Sequence, residues 1–259
     1  MPLNSGPRRN APPAIVNGVS AALRRLARPV GEFNAERYFR GEHGLQFYNV
    51  GTAAMRALAK DVYQAHRDHW TVGDAITLAD ALMRDPHLET KSVGIEVVAR
   101  FRKTFTPALL PRWKRWLAQN LSANWATTDA ICGSLTGPLL SDYPELVPEM
   151  RTWVRHPNLW VRRASIVSLI VPMRRGLGVD LAYENARILH GDQHDLIQKA
   201  VGWTLREAGK RDSAKLEEYL KSNGPSIPRT TLRYAIERFP PAARTRLLRE
   251  TRSTDGVKR

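Results

Sequence analysis

The segment HPNLWVRRA at 156–164 reads as the end of one helix, a proline-marked link and the start of the next. Asn158 stands just ahead of an apolar run, where its side chain serves as an N-cap. Similar links recur as DPHLETKS at 85–92, SANWATTDA at 122–130 and GDQHDLIQKA at 191–200. The small residues that close them, Ser92, Ala130, Ala164 and Ala200, lie 38, 34 and 36 positions apart. A period of that size with two helices per unit predicts an all-α fold, an α-solenoid of HEAT-like repeats. Such a solenoid is curved, and its concave groove is lined by one helix from each repeat.

The rest of the chain agrees with helix. Val/Ile/Thr alternation is scarce, while Ala, Leu and Arg abound. Amphipathic segments are expected at 13–27, 33–40, 52–68, 73–83, 89–103, 106–119, 124–135, 145–154, 158–172, 179–189, 194–208, 212–221, 227–238 and 240–250. Residues 1–12 and 251–259 are polar and marked by Gly or Pro, and read as tails around a single domain at 13–250.

Composition narrows the partner. The chain has 259 residues, 42% of them hydrophobic, and 40 Lys+Arg against 25 Asp+Glu, a net charge of +15. That excess points to a polyanion: nucleic acid first, an anionic membrane surface second. A protein-binding solenoid whose charge serves only solubility is the plainer alternative. No apolar run approaches the roughly 18–20 residues of a membrane span, and the N-terminus lacks a signal-peptide core. The cell interior is the expected compartment. One cysteine, Cys132, excludes an internal disulfide framework and a cysteine-based zinc site. The seven histidines show no ligand spacing and there is no Gly-rich phosphate loop, so neither a metal nor a cofactor is expected.

Three segments carry candidate chemistry. In HDLIQKAVGWTLREA at 194–208, Ile197, Ala200, Val201, Thr204, Leu205 and Ala208 gather on one arc of the helical wheel, and Lys199, Trp203 and Arg206 on the other. Trp203 is either filler between repeats or an aromatic platform in a phosphate-binding groove. In NWATTDAICGSL at 124–135, Trp125 and Asp129 are i, i+4 neighbours, while Ala126, Ala130, Ile131 and Leu135 form another face. A carboxylate in a basic groove repels phosphates. Asp129 therefore either pairs with an arginine or faces a developing positive charge. In NLWVRRASIVSLIVP at 158–172, Arg163 falls among Leu159, Ile166 and Ile170, with Arg162 about 100° away. A cation in that position calls for an anionic partner, Asp129 or a phosphate.

The motifs W-x-x-x-D in NWATTD, N-[LI]-W-x-x-R in NLWVRR and K-A-[IV]-G-W-x-L-R-E in KAVGWTLRE together resemble the AlkD family, bacterial DNA glycosylases built from HEAT-like repeats. The likeness spans about 20–250, and ERYFRGEHGLQFYNVGTAAMRALAK at 36–60 is similar to the family's opening segment. By motif, the resemblance implies that Trp125 and Trp203 flank the lesion nucleotide and that Asp129 is the catalytic carboxylate. It implies that Arg163 binds phosphate beside it, with Tyr38 and Arg206 as further groove residues. Lys199 and Arg162 complete the candidate DNA contacts. The implied activity is hydrolysis of the N-glycosidic bond of N3- or N7-alkylated purines in double-stranded DNA, initiating base excision repair. The implied agent is a monomer of the bacterial cytoplasm without metal or cofactor. The competing readings are a non-catalytic solenoid that recognises distorted or branched DNA by shape, and a protein-interaction scaffold.

Overall fold

The computed structural model describes residues 13–29, 31, 34–39 and 44–252. The expected tail at 1–12 and most of that at 251–259 lie outside the described residues, as does part of the segment at 33–40. The fold is all-α: no β-strand occurs among the described residues, and one isolated parallel bridge joins Gln46 to His87. Among them no helix is long and apolar enough to cross a membrane. The helices fall into two compact units, Met1–Leu135 and Thr136–Arg259.

The first unit contains α1 (Pro13–Leu26), α2 (Thr52–His66), α3 (Val72–Leu82), α4 (Leu88–Ala99), α5 (Leu110–Ala118) and α6 (Trp125–Ile131). Helix α4 is its centre and packs on α1, α2, α3 and α6. Gly94 allows the close approach of α3, since a Cβ there would lie 3.3 Å from the Cα of Ala79. Helix α3 starts with a capping box between Thr71 and Asp74. Helix α5 turns Leu110, Trp113, Trp116 and Leu117 inward, and the Trp116 indole donates to the Asp80 carboxylate at 2.7 Å. The buried Lys91 ammonium donates to the carbonyls of Met83 and Leu121. Burial holds its pKa below the usual lysine range.

The second unit contains α7 (Gly137–Asp142), α8 (Met150–Trp153), α9 (Leu159–Val167), α10 (Ile170–Met173), α11 (Val179–Leu189), α12 (Asp195–Gly209), α13 (Ser213–Asn223), α14 (Arg229–Ala235) and α15 (Pro241–Glu250). Helix α12 is the hub and packs on α9, α10, α11, α13 and α14. Its contact with α14 depends on Gly202: a Cβ there would meet the Tyr234 Cβ at 2.4 Å and the Thr231 carbonyl oxygen at 2.5 Å. Buried Asn185 ties α11 to the carbonyls of Met150 and Ser165, each at 3.1 Å.

The repeat period holds. Helices α4, α6, α9 and α12 begin at residues 88, 125, 159 and 195. Asn158 caps α9, accepting from the amides of Trp160 and Val161. Several expected helices are shorter or broken. The segment at 158–172 splits into α9 and α10, because Pro172 has no N–H and its ring crowds the carbonyl one turn back. Prolines likewise turn the openings of 106–119 and 145–154 into 3₁₀ turns, Pro107–Leu109 and Pro144–Glu149. The described part of 33–40 holds a 3₁₀ turn, Ala35–Tyr38, in place of an α-helix. Helix α6 gives way after Ile131 to a π-helical turn, Cys132–Thr136.

Gly202→Ala is expected to lower stability by about 1–3 kcal/mol, because backbone of α14 stands where the methyl must go. Gly18→Ala in α1, with open space around it, is expected to be neutral or stabilising by up to about 1 kcal/mol; chemical denaturation of both variants checks the contrast. His190, buried and hydrogen-bonded through Nε2 to the Tyr219 hydroxyl at 2.7 Å, has its pKa pushed down to about 4 by burial and then by Arg187. Between about pH 6.5 and 4 the unfolded chain binds a proton that the folded chain refuses, so stability is lost as the pH is lowered across that window. The contribution is on the order of 3 kcal/mol. Melting curves across that range are expected to show a shallower acid-side decline for His190→Gln than for the wild type.

Candidate functional site

In the first unit the site is built on the start of α6. Asn124 is completely buried, and its Oδ1 accepts from the Thr127 amide at 2.8 Å. Its Nδ2 donates to the Ser122 carbonyl at 2.9 Å and to the Thr127 hydroxyl at 2.8 Å. Ala123 just before it is left-handed, with φ 57°, a conformation that costs a non-glycine residue about 1–2 kcal/mol. This turn makes Trp125 the first residue of the helix. The indole Nε1 donates to the Tyr38 carbonyl at 3.2 Å. Its ring stacks on Phe39 with centroids 5.2 Å apart and planes 19° from parallel. Asp129 follows one turn later on the same side of α6, and both residues are half-buried. Tyr38 is 66% exposed.

The buried side of α6 is made largely by threonine. Thr127, Thr128 and Ile131 are buried, while Ala126 and Ala130 are only half-buried. The threonines tolerate burial because their hydroxyls are bonded to Asn124. That of Thr127 accepts from Nδ2, and that of Thr128 donates to the Asn124 carbonyl at 2.9 Å.

In the second unit α12 presents the expected arcs. Ile197, Ala200, Val201, Thr204, Leu205 and Ala208 are buried, and Lys199, Trp203 and Arg206 are half-buried on the other side. The two cations are paired. Lys199 meets Asp195 at 2.6 Å, a hydrogen bond that raises the lysine's pKa, and Arg206 meets Glu237. Among the described residues no aromatic ring or cation lies against the Trp203 ring. Arg163 is 5% exposed, as its place among apolar residues predicts, and its guanidinium donates to the Leu196 carbonyl at the start of α12. Arg162 is held by Asp192 at 2.8 Å and by the carbonyls of His156 and Pro157 at 3.1 and 2.8 Å. The arginine pair thus braces the link that precedes α9 and the start of α12.

Other residues of these faces escape a reading by motif. Phe39 supports Trp125, and its only sequence signal is an aromatic next to Tyr38. Tyr234, 37% exposed, is brought beside Gly202 by the tight α12–α14 crossing and lies close enough to act on Lys199. An aromatic on the polar side of its helix is the same signal that singled out Trp203. Glu89, buried in α4, accepts from the amides of Tyr48 and Val50 at 3.1 Å and so fixes the approach to α2.

Residues 19–239 match the family model described as DNA alkylation repair enzyme. A solved structure described as a predicted DNA alkylation repair enzyme from Enterococcus faecalis shares the fold, with a TM-score of 0.70. The two chains are 18% identical, over 83% of this chain and 98% of that one. No curated protein matches the sequence.

Asn124→Ala removes the cap and leaves the hydroxyl of Thr127 and the carbonyl of Ser122 short of a donor. It is expected to cost about 2–4 kcal/mol and to change the emission of Trp125. Denaturation followed by tryptophan fluorescence reads both.

Proposed function

The chain belongs to the DNA alkylation repair enzyme family, and on that premise we propose that it is a DNA glycosylase. Its substrates are N3- and N7-alkylated purines in double-stranded DNA, and its reaction is hydrolysis of their N-glycosidic bond. The observation that carries this reading is Trp125 and Asp129 on one half-exposed side of α6, in a protein of charge +15. The excess of Lys and Arg supplies attraction for the phosphate backbone. A carboxylate beside an aromatic platform on such a protein works against DNA binding and calls for a chemical purpose.

That purpose is stabilisation of a cation. An alkylated purine with a positive charge is already a good leaving group and takes the bonding electron pair as the C1′–N bond breaks. Positive charge moves onto the sugar, which becomes oxocarbenium-like. The Asp129 carboxylate stabilises that charge and orients a water, whose oxygen bonds to C1′ as its proton is lost. Trp125, already fixed by Phe39 and the Tyr38 carbonyl, acts as a rigid wall for the damaged nucleotide. Trp203, with no ring or cation against it among the described residues, is the second aromatic that the reading assigns to the lesion. Arg163, Arg162, Lys199, Arg206 and Tyr38 are assigned to the backbone. Engagement of Lys199 and Arg206 exchanges the carboxylates of Asp195 and Glu237 for phosphates.

Incubation with methylated DNA and chromatography of the released bases tests the reading, with 3-methyladenine and 7-methylguanine as the expected products. Asp129→Asn keeps the shape and removes the charge. Its excision rate is expected to fall roughly 10²-fold or more, while DNA affinity holds or rises. Full excision by this variant removes Asp129 from the mechanism and favours the shape-recognising binder. Its melting temperature reads the other role: half of a buried structural pair would cost about 3–5 kcal/mol when broken, whereas a groove carboxylate changes stability little. Wild-type affinity is expected to fall steeply with added salt. Equal affinity at low and high salt contradicts a backbone-gripping surface.

A further inference from the structure

The second unit carries a basic cleft that the proposed chemistry does not use. It has a volume of about 580 Å³ and lies where the link before α12, the turn before α14 and the end of α15 converge. His190, Gln193, Gln198, Ser226, Arg229, Thr251 and Arg252 supply its polar lining, and among the described residues no Asp or Glu lines it. Arg229 is oriented by donating to the Leu248 carbonyl at 2.8 Å and to the Thr251 hydroxyl at 3.2 Å, which occupies two of its five N–H donors. Arg233 stands one turn further along α14. Among the described residues neither Arg233 nor Arg252 is paired with a carboxylate.

Elsewhere in the unit Arg162, Arg206, Arg151, Lys215 and Lys221 each have an acidic partner. Arg229 is held below the usual arginine range, by burial first and then by the charges of Arg252 and Arg233. Guanidinium groups brought together without a carboxylate repel one another, and an anion in the cleft removes that cost. The lining suits a phosphate: guanidinium forks for its oxygens and amide and hydroxyl groups around them.

We propose that this cleft binds the sugar–phosphate backbone of duplex DNA as an anchor independent of the damaged base. The inference rests on the DNA-binding part of the reading above and not on glycosylase chemistry. A phosphodiester and free phosphate share the recognising chemistry, and the duplex is favoured because the volume exceeds what one phosphate ion fills. Gln198, on the wall of the cleft, is the immediate neighbour of Lys199 on α12.

The test is binding of an undamaged fluorescent duplex by the full chain across a range of salt. The exposed pair Arg233→Glu/Arg252→Glu is expected to weaken binding at least 10-fold and to reduce the slope of log K against log salt by about 1–2, one or two phosphate contacts. Arg155→Glu/Arg174→Glu, outside the cleft, makes the same change in net charge and is expected to have the smaller effect on both. Single-turnover excision of an alkylpurine at saturating protein is expected to stay within about twofold of the wild type. Equal weakening by the two double variants, or an unchanged affinity and slope for the cleft variant, overturns the proposal. So does displacement of the duplex by inorganic phosphate at matched ionic strength, which would assign the cleft to the free ion. A wild type that binds the duplex through the cleft but releases no base leaves this inference standing and removes the glycosylase reading.

Discussion

The side chain of Asn124 decides where α6 begins, and the directions of Trp125 and Asp129 follow from that point. Its carbonyl and amide groups close the turn that starts the helix, bonding to Ser122 and Thr127, and its backbone oxygen accepts from Thr128. The left-handed Ala123 is strain accepted to make that turn. Moving the start by one residue would swing Trp125 by about 100°, off Phe39 and away from the Tyr38 carbonyl. Asp129 would swing with it. The cap thus links a local sequence signal to the direction of the two residues on which the proposed chemistry turns.

The second unit solves a different problem. Helix α12 must bury one arc against five neighbouring helices and still keep Lys199, Trp203 and Arg206 at the surface. Gly202 lets α14 come so near that it covers the core arc without covering Trp203, and it places Tyr234 and Glu237 along the margin. Ion pairs with Asp195 and Glu237 hold the cations in place in the absence of DNA. Such surface pairs are individually worth about 0–1 kcal/mol, so the phosphate contacts proposed for these cations require little to be given up.

Much of this was legible in the sequence, for identifiable reasons. Links that recur every 34–38 residues expose the helical repeat because each repeat must hand its apolar face to the next. The wheel of α12 separated its buried and half-buried residues correctly, and the apolar surroundings of Arg163 on its wheel marked a buried cation. The family resemblance agrees with the matched family model and with the shared fold. What was not legible depends on backbone geometry and distant contacts. Periodicity continued the 158–172 helix past the break imposed by Pro172. Nor does periodicity show that Thr127 and Thr128 are buried, their hydroxyls satisfied by Asn124. The Phe39 stack joins residues 86 positions apart, and no local pattern announces it.

The central claim is electrostatic: Asp129 is a fixed negative charge placed for a sugar that turns cationic. It is tested most directly by binding at equilibrium, without any chemistry. Two duplexes that differ only at one site are compared, one carrying a protonated pyrrolidine in place of the sugar and the other a neutral tetrahydrofuran. A site complementary to the cationic transition state is expected to favour the pyrrolidine duplex by roughly 10²-fold, and Asp129→Asn to abolish the preference. Equal affinity of the wild type for the two duplexes would contradict the account.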